Sequence, residues 1–245
     1  GKYNVALEQY RQALAADPKN AQARHRNALA LHKLGFSENA MKELLIAVEL
    51  DPAGVGIEAR VLFSEMFTAH GNLDEARRIL ESAAAAPNAP PEALFRMGEI
   101  ARRNGEQQKS VRFFKDALAV GMDPAFRYDV MNALGMSYSS LNDLDGAEKI
   151  LREAVVLDPR RPDALLNLSL LYRGRKNFPA AVDLARKAVV LAPGRPEGYK
   201  LLGLIYFEAG WERESLFAFR ESLRIDPDQP EIVNFVRNIE PVEDE

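Results

Sequence analysis

The sequence predicts an all-α chain, a solenoid of stacked helix–turn–helix repeats, and three columns of residues predict it. One column of small residues reads Ala6, Ala40, Ala76, Ser110, Ala147, Ala181 and Ser215, at spacings of 34, 36, 34, 37, 34 and 34. A second reads Ala13, Ala47, Ala83, Ala117, Ala154, Ala188 and Ser222, and a third Gly1, Gly35, Gly71, Gly105, Asn142, Lys176 and Gly210. All three keep step through the same irregularities, which marks one unit repeated along the chain.

Each element of the unit has a physical reason. Between the glycine column and an Asp-Pro pair runs an amphipathic stretch of three to four turns, such as residues 145–157. A second such stretch, residues 163–172 for example, precedes the glycine column. Glycine suits the left-handed backbone that ends a helix, and Asn142 is the usual substitute. Lys176 departs from this, so the sixth turn is expected to be looser or to end at Gly174. The pairs Asp17-Pro18, Asp51-Pro52, Asp158-Pro159 and Asp226-Pro227 stop the second helix, because proline disfavours helix in the residue before it. Pro162, Pro196 and Pro230 fall where a first helical turn tolerates a missing N–H. The small residues let the two helices of a unit approach closely.

In chain order, residues 1–20 match only the second helix of a first repeat (Tyr3, Ala6, Tyr10, Ala13), as in a fragment of a longer protein. Repeats 2 to 7 follow at 21–54, 55–90, 91–125, 126–161, 162–195 and 196–229. The junctions at 53–56 and 120–124 are longer, and a change of superhelical pitch is expected at each. Residues 83–91 depart furthest from the pattern, so a regular C-terminal half is expected to follow a less regular N-terminal one. Residues 230–245 read as a capping helix (Ile232, Val233, Phe235, Val236, Ile239) and a solvated acidic tail.

The unit resembles the tetratricopeptide repeat over nearly the whole chain. The resemblance rests on Leu134-Gly135 with Tyr138, then Ala147, Leu151, Ala154 and Asp158-Pro159. It rests equally on Tyr199, Leu202-Gly203, Tyr206, Gly210, Phe219 and Asp226-Pro227. It implies an α-solenoid wound as a right-handed superhelix, with the first helix of each repeat lining a concave face that holds a protein or peptide.

Composition excludes several classes. The formal charge of −4 is against a nucleic-acid partner, since phosphate-binding surfaces carry a basic excess. There are no cysteines, hence no disulfide, thiolate metal site or cysteine nucleophile. No apolar run is long enough for a membrane span, and the compartment, cytoplasmic or periplasmic, stays open. The run from Gly54 to Ala59 spells a dinucleotide fingerprint, but a helix and an Asp-Pro stop precede it where a strand is required. His25 and His32 share a helix face with no third ligand, and His70 reads as a helix-end residue. The sequence therefore offers no catalytic set, metal site or cofactor, and no enzyme is expected. Asn167-Leu168-Ser169 spells a glycosylation sequon inside a helix expected to be packed.

The candidate partner-binding residues lie on the first helices. Asn132 and Met136 in repeat 5, Leu166, Asn167, Leu170 and Arg173 in repeat 6, and Lys200, Leu204 and Phe207 in repeat 7 suggest a groove with an apolar floor and amide edges. Amides grip a peptide backbone in either hydrogen-bonding sense, while apolar residues accept an anchor side chain. Arg26, in a basic strip with His25, His32 and Lys33, and Arg96 are the candidates nearer the N-terminus. The family's clamp for chaperone C-termini is incomplete, because Met136, Glu197 and Leu201 stand where charge or amide is needed. Its asparagine ladder is missing too, since Ala133 and Leu201 flank Asn167 in their column. The expected function is an adaptor or scaffold, with bacterial assembly, secretion and polysaccharide systems as settings that the resemblance suggests. The alternative is the substrate-recognition region of a larger transferase-type enzyme. Self-association through the open N-terminal end is a third reading.

Overall fold

A computed structural model describes residues 2–52, 54–86 and 88–239, with the side chains of 238 and 239 left aside. The described residues hold helices and no strand. In order they are α1 (Lys2–Ala16), α2 (Ala21–Lys33), α3 (Ser37–Leu50), α4 (Ile57–Ala69), α5 (Leu73–Ala84), α6 (Pro91–Arg103) and α7 (Gln107–Ala119). Then come α8 (Pro124–Ser140), α9 (Leu144–Leu157), α10 (Asp163–Gly174), α11 (Phe178–Leu191), α12 (Pro196–Glu208), α13 (Glu212–Ile225) and α14 (Pro230–Ile239). The chain divides into two compact blocks, Gly1–Met122 and Asp123–Glu245, and the division falls in the second of the two long junctions.

In both blocks the helices pack chiefly as consecutive pairs, α2 on α3, α4 on α5 and α6 on α7, then α8 on α9, α10 on α11 and α12 on α13. A tight turn with one left-handed residue joins the members of a pair. Gly35 has φ +85°, its N–H donates to the His32 carbonyl at 3.0 Å, and the Phe36 N–H donates to the Leu31 carbonyl at 3.0 Å. These crossed bonds satisfy carbonyls that the helix end would otherwise leave open. The sixth turn corrects an expectation. Lys176 takes φ +56° and makes the same two bonds, to Arg173 and, through the Asn177 N–H, to Tyr172, both at 2.9 Å. The α10 helix ends at Gly174, two residues before the left-handed position, as α2 ends at Lys33 before Gly35. The turn is not loosened; a residue with a Cβ is held in it, at a cost of about 1 kcal/mol.

The seam inside each pair is set by one residue from each helix. The first helices contribute Ala28, Ser64, Gly98, Gly135, Ser169 and Gly203, each seven residues before the left-handed position. Nine residues beyond that position the second helices contribute Leu44, Leu80, Phe114, Leu151, Ala185 and Phe219. Apart from Gly98, Gly135 and Gly203, where no Cβ fits, the first-helix member is small, and the second-helix member is fully buried in every pair. A Cβ on Gly203 would stand 2.4 Å from the Phe219 ring, one on Gly98 2.5 Å from the Phe114 ring, and one on Gly135 2.5 Å from Leu151 Cγ. The columns of small residues read from the sequence line the same seams: Ala40, Ala76, Ala147 and Ala181 are fully buried. Two buried serines use their hydroxyls on backbone across the seam. Ser169 Oγ donates to the Ala181 carbonyl at 2.7 Å and Ser215 Oγ to the Gly203 carbonyl at 2.9 Å. The sequon serine is thus inside the packing.

At the N-terminal end α1 packs on α2 and buries Leu7, while Tyr3 and Val5 stay exposed. At the other end α14 lies against α13. Ile232 and Val236 are buried, and the Phe235 ring stacks on Phe219 with centroids 5.4 Å apart. The Ile239 side chain and the acidic tail lie outside the described residues.

Two outcomes are expected from these seams and turns. Gly203→Ala gains about 1 kcal/mol of helix propensity. It overpacks Phe219 at a cost of roughly 1–3 kcal/mol, so the net effect is a lower urea midpoint. Adding Phe219→Leu, which reproduces the Ala28–Leu44 pair, should recover most of the loss. Lys176→Gly relieves the left-handed strain and should raise the unfolding midpoint, by up to about 1 kcal/mol of stability in denaturant titration.

Candidate functional site

In the C-terminal block the first helices α8, α10 and α12 lie side by side, with α10 touching both neighbours. Repetition at a spacing of 34 puts Asn132, Leu166 and Lys200 in one row across them and Met136, Leu170 and Leu204 in the next, one helical turn along. Both rows face a cavity of about 400 Å³. Asn167 lines it from the column between them, and Asp163, Arg195, Glu197 and Leu201 complete the wall.

The floor is apolar and open to solvent at two points: Met136 is 37% and Leu170 45% exposed, while Leu201 beneath is buried. The Asn167 amide donates through Nδ2 to Asn132 Oδ1 at 2.8 Å. That bond leaves the Asn132 amide N–H groups and the Asn167 carbonyl without a hydrogen-bond partner among the described residues, one donor group and one acceptor side by side. One rim is an ion cluster. Arg195 Nη1 donates to Asp163 Oδ1 at 2.9 Å and its Nε reaches Glu197 Oε2 at 3.4 Å. The hydrogen bond to Asp163, against some desolvation, holds the guanidinium above the ordinary arginine value. Lys200 Nζ donates to Glu231 Oε2 at 3.3 Å, so its charge is partly shared with α14.

A buried tyrosine, absent from the sequence-based candidates, fixes α8 against the start of α10. Tyr128 Oη accepts from the Ala164 N–H at 2.8 Å and donates to the Arg161 carbonyl at 3.3 Å. The Arg161 guanidinium lies 4.0 Å over its ring and reaches Asp129 at 2.6 Å. The clasp ties α8 to the start of α10.

Of the sequence candidates, Asn132, Met136, Leu166, Asn167, Leu170, Lys200 and Leu204 come together on the cavity. Two others in this block do not. Arg173 turns to Glu208, donating from Nε and Nη2 at 3.0 and 2.7 Å, and the half-exposed Phe207 sits edge-on to Phe235 at 5.3 Å. In the N-terminal block Arg26 is exposed, and Arg96 is paired with Glu65 and lies over the Phe95 ring. The basic strip beside Arg26 is weaker than its spelling. Burial first, then Arg26 and Arg60, lowers the His25 pKa below its usual 6.5, so this imidazole is neutral at pH 7. The fingerprint at Gly54 joins α3 to α4, and the Gly54 N–H donates to Asp51 Oδ1 at 2.9 Å. Among the described residues no group of three or more His, Asp and Glu is placed to hold a metal ion. No helix there is long and apolar enough to cross a membrane.

Family profiles described as tetratricopeptide repeat match residues 2–84, then 67–125 with 132–196, and finally 196–229. Comparison with curated proteins finds no significant match. Among solved structures, the APC/C hetero-tetramer Cut9-Hcn1 superposes with a TM-score of 0.68 at 17% identity. That match covers 98% of this chain but 46% of that one, so the chain spans under half its length. PilF of Pseudomonas aeruginosa superposes at 0.66 with 15% identity, over 97% of this chain and 100% of its own. YrrB, described as a tetratricopeptide protein with an unusual peptide-binding site, superposes at 0.51 with 16% identity over 94% and 99%. At these identities the likeness is one of fold.

Proposed function

The chain belongs to the tetratricopeptide repeat family, whose fold is a scaffold for protein–protein interaction, and on that premise we propose that it is a non-enzymatic adaptor holding a peptide segment of a partner across α8, α10 and α12. One observation carries the reading: two rows of side chains, one residue from each of three adjacent repeats, converge on a single open cavity. Met136, Leu170 and Leu204 receive an apolar anchor side chain of the partner. The Asn132–Asn167 pair offers the backbone an N–H donor and a carbonyl acceptor together, which matches the paired C=O and N–H of an unpaired peptide unit. Arg195 and Lys200 give the rim two cations whose acidic neighbours weaken their pull on an anion, so recognition rests on the apolar floor and the amides. The fold likeness to YrrB, which has a peptide-binding site, supports the same use of such a surface.

The test selects dodecamer peptides on the immobilised chain from a displayed random library and titrates the best binder by fluorescence anisotropy. Leu170→Glu places a charge on an exposed apolar contact and should weaken binding tenfold or more, about 1.4 kcal/mol. Asn167→Ala removes one side of the amide pair and should weaken it several-fold, on the order of 1 kcal/mol. Unchanged affinity in both variants overturns the assignment.

A further inference from the structure

The N-terminal block contains a buried arginine whose charge no described residue neutralises at contact distance. Arg60, on α4, is 4% exposed. Its Nε donates to the Val55 carbonyl at 2.8 Å, and Nη1 donates to Ser82 Oγ at 2.6 Å and the Ile79 carbonyl at 3.4 Å. Every one of these acceptors is neutral. Among the described residues no carboxylate lies within ion-pair distance of it; Asp51 acts on it only from further away, and the charge that favours is opposed by a larger desolvation. A buried guanidinium remains protonated, so an uncompensated cation of this kind is costly.

The repeats supply their own control. Eleven residues before each left-handed position stand Arg24, Arg60, Leu94, Met131, Leu165 and Tyr199. Nineteen residues after them stand Glu43, Ile79, Phe113, Ile150, Leu184 and Ala218 on the second helices. Arginine meets glutamate in the first pair: Arg24 Nη1 donates to Glu43 Oε2 at 2.8 Å, while its Nε donates to the Pro18 carbonyl at 3.0 Å. The last four pairs carry no charge. Arg60, like Arg24, donates through Nε to a carbonyl of the preceding loop, but Ile79 stands where Glu43 would be. It is the one charged residue of this column left without its carboxylate.

Beside this arginine the fold leaves a cavity of about 380 Å³. Arg60 and Ser82 line it together with Pro52, Ile57, Ala83 and Pro90. Arg60 and Ser82, hydrogen-bonded to one another, are the polar side chains among the described lining residues, and the others are aliphatic. An inorganic anion would be desolvated against that wall with little return, whereas a ligand with a carboxylate at one end and a hydrocarbon body fits both parts.

We propose that the Arg60 cavity binds a small carboxylate with an apolar body, the carboxylate taking the place that Glu43 holds in the preceding repeat. The site is separate from the groove on α8, α10 and α12, and neither depends on the other. Hexanoate and hexan-1-ol, matched in length and differing in charge, are titrated into the full chain by calorimetry, with the amide resonances of Val55, Arg60, Ser82 and Ala83 followed in parallel. Hexanoate should bind and shift these resonances, and the alcohol should bind at least tenfold more weakly. Arg60→Met, which installs the side chain that the fifth repeat carries at the same position, should weaken hexanoate binding tenfold or more while circular dichroism shows the helices intact. Equal binding of acid and alcohol, no shift at these amides, or unchanged affinity in Arg60→Met overturns the proposal. If the variant does not fold, the comparison of acid with alcohol on the unaltered chain decides.

Discussion

Every repeat depends on how closely two antiparallel helices can approach, and one pair of side chains sets that distance. Where the second helix brings a phenylalanine, Phe114 or Phe219, the first has only a glycine, because a Cβ would stand 2.4–2.5 Å from the ring. Where it brings a leucine, the first carries Ala28 or Ser64 opposite Leu44 or Leu80 but Gly135 opposite Leu151, where a Cβ would stand 2.5 Å from Leu151 Cγ; opposite Ala185 stands Ser169. Interiors are packed to crystal-like density, so volume added on one side must be removed from the other. The tight turn follows from this. Helices held so near can be joined within a few residues only if one of those residues reverses the chain in the left-handed region. Lys176 adopts that conformation, at φ +56°, and makes the same two turn bonds as glycine does in other repeats.

This dependence explains what the sequence reveals. Small residues, glycines and Asp-Pro pairs serve backbone geometry that recurs in every repeat, so they recur in the sequence at the same spacing, and the fold is legible from them. Lys176 misleads for the same reason: residue identity signals the left-handed turn only where intrinsic preference and packing agree. The candidate groove is legible in part. Asn132, Leu166, Met136, Leu170 and Leu204 fall into rows by the repeat itself, so the helix register alone brings them together. Arg173 and Phe207 satisfy the same register, yet Glu208 and Phe235 claim them, and both contacts come from elements outside their own helix. Asp163 and Arg195 give no periodic signal because they sit at helix starts, where the pattern has not begun, and Glu197 is legible only as a residue that breaks the chaperone clamp. Tyr128 leaves a fainter trace: a large aromatic just past the first turn of α8, whose hydroxyl meets a backbone N–H 36 residues on.

Charge in such a seam obeys a stricter rule than volume. An apolar pair at the Arg24 column needs only to fit, as Leu94 with Phe113 or Leu165 with Leu184 does. An arginine there must also find acceptors for a fork of donors and an anion for its charge, and the second helix has one residue in position to supply the anion. Arginine and glutamate therefore have to be exchanged together. Changing Glu43 alone would strand Arg24, much as Ile79 stands opposite a stranded Arg60. A repeat can persist in that state when its backbone carbonyls and a serine absorb the donors and a neighbouring cavity leaves the charge accessible to something other than protein. Repetition, which makes the fold easy to read, is also what makes one unmatched member of a column visible, because the other repeats show what the same position does when its partner is present.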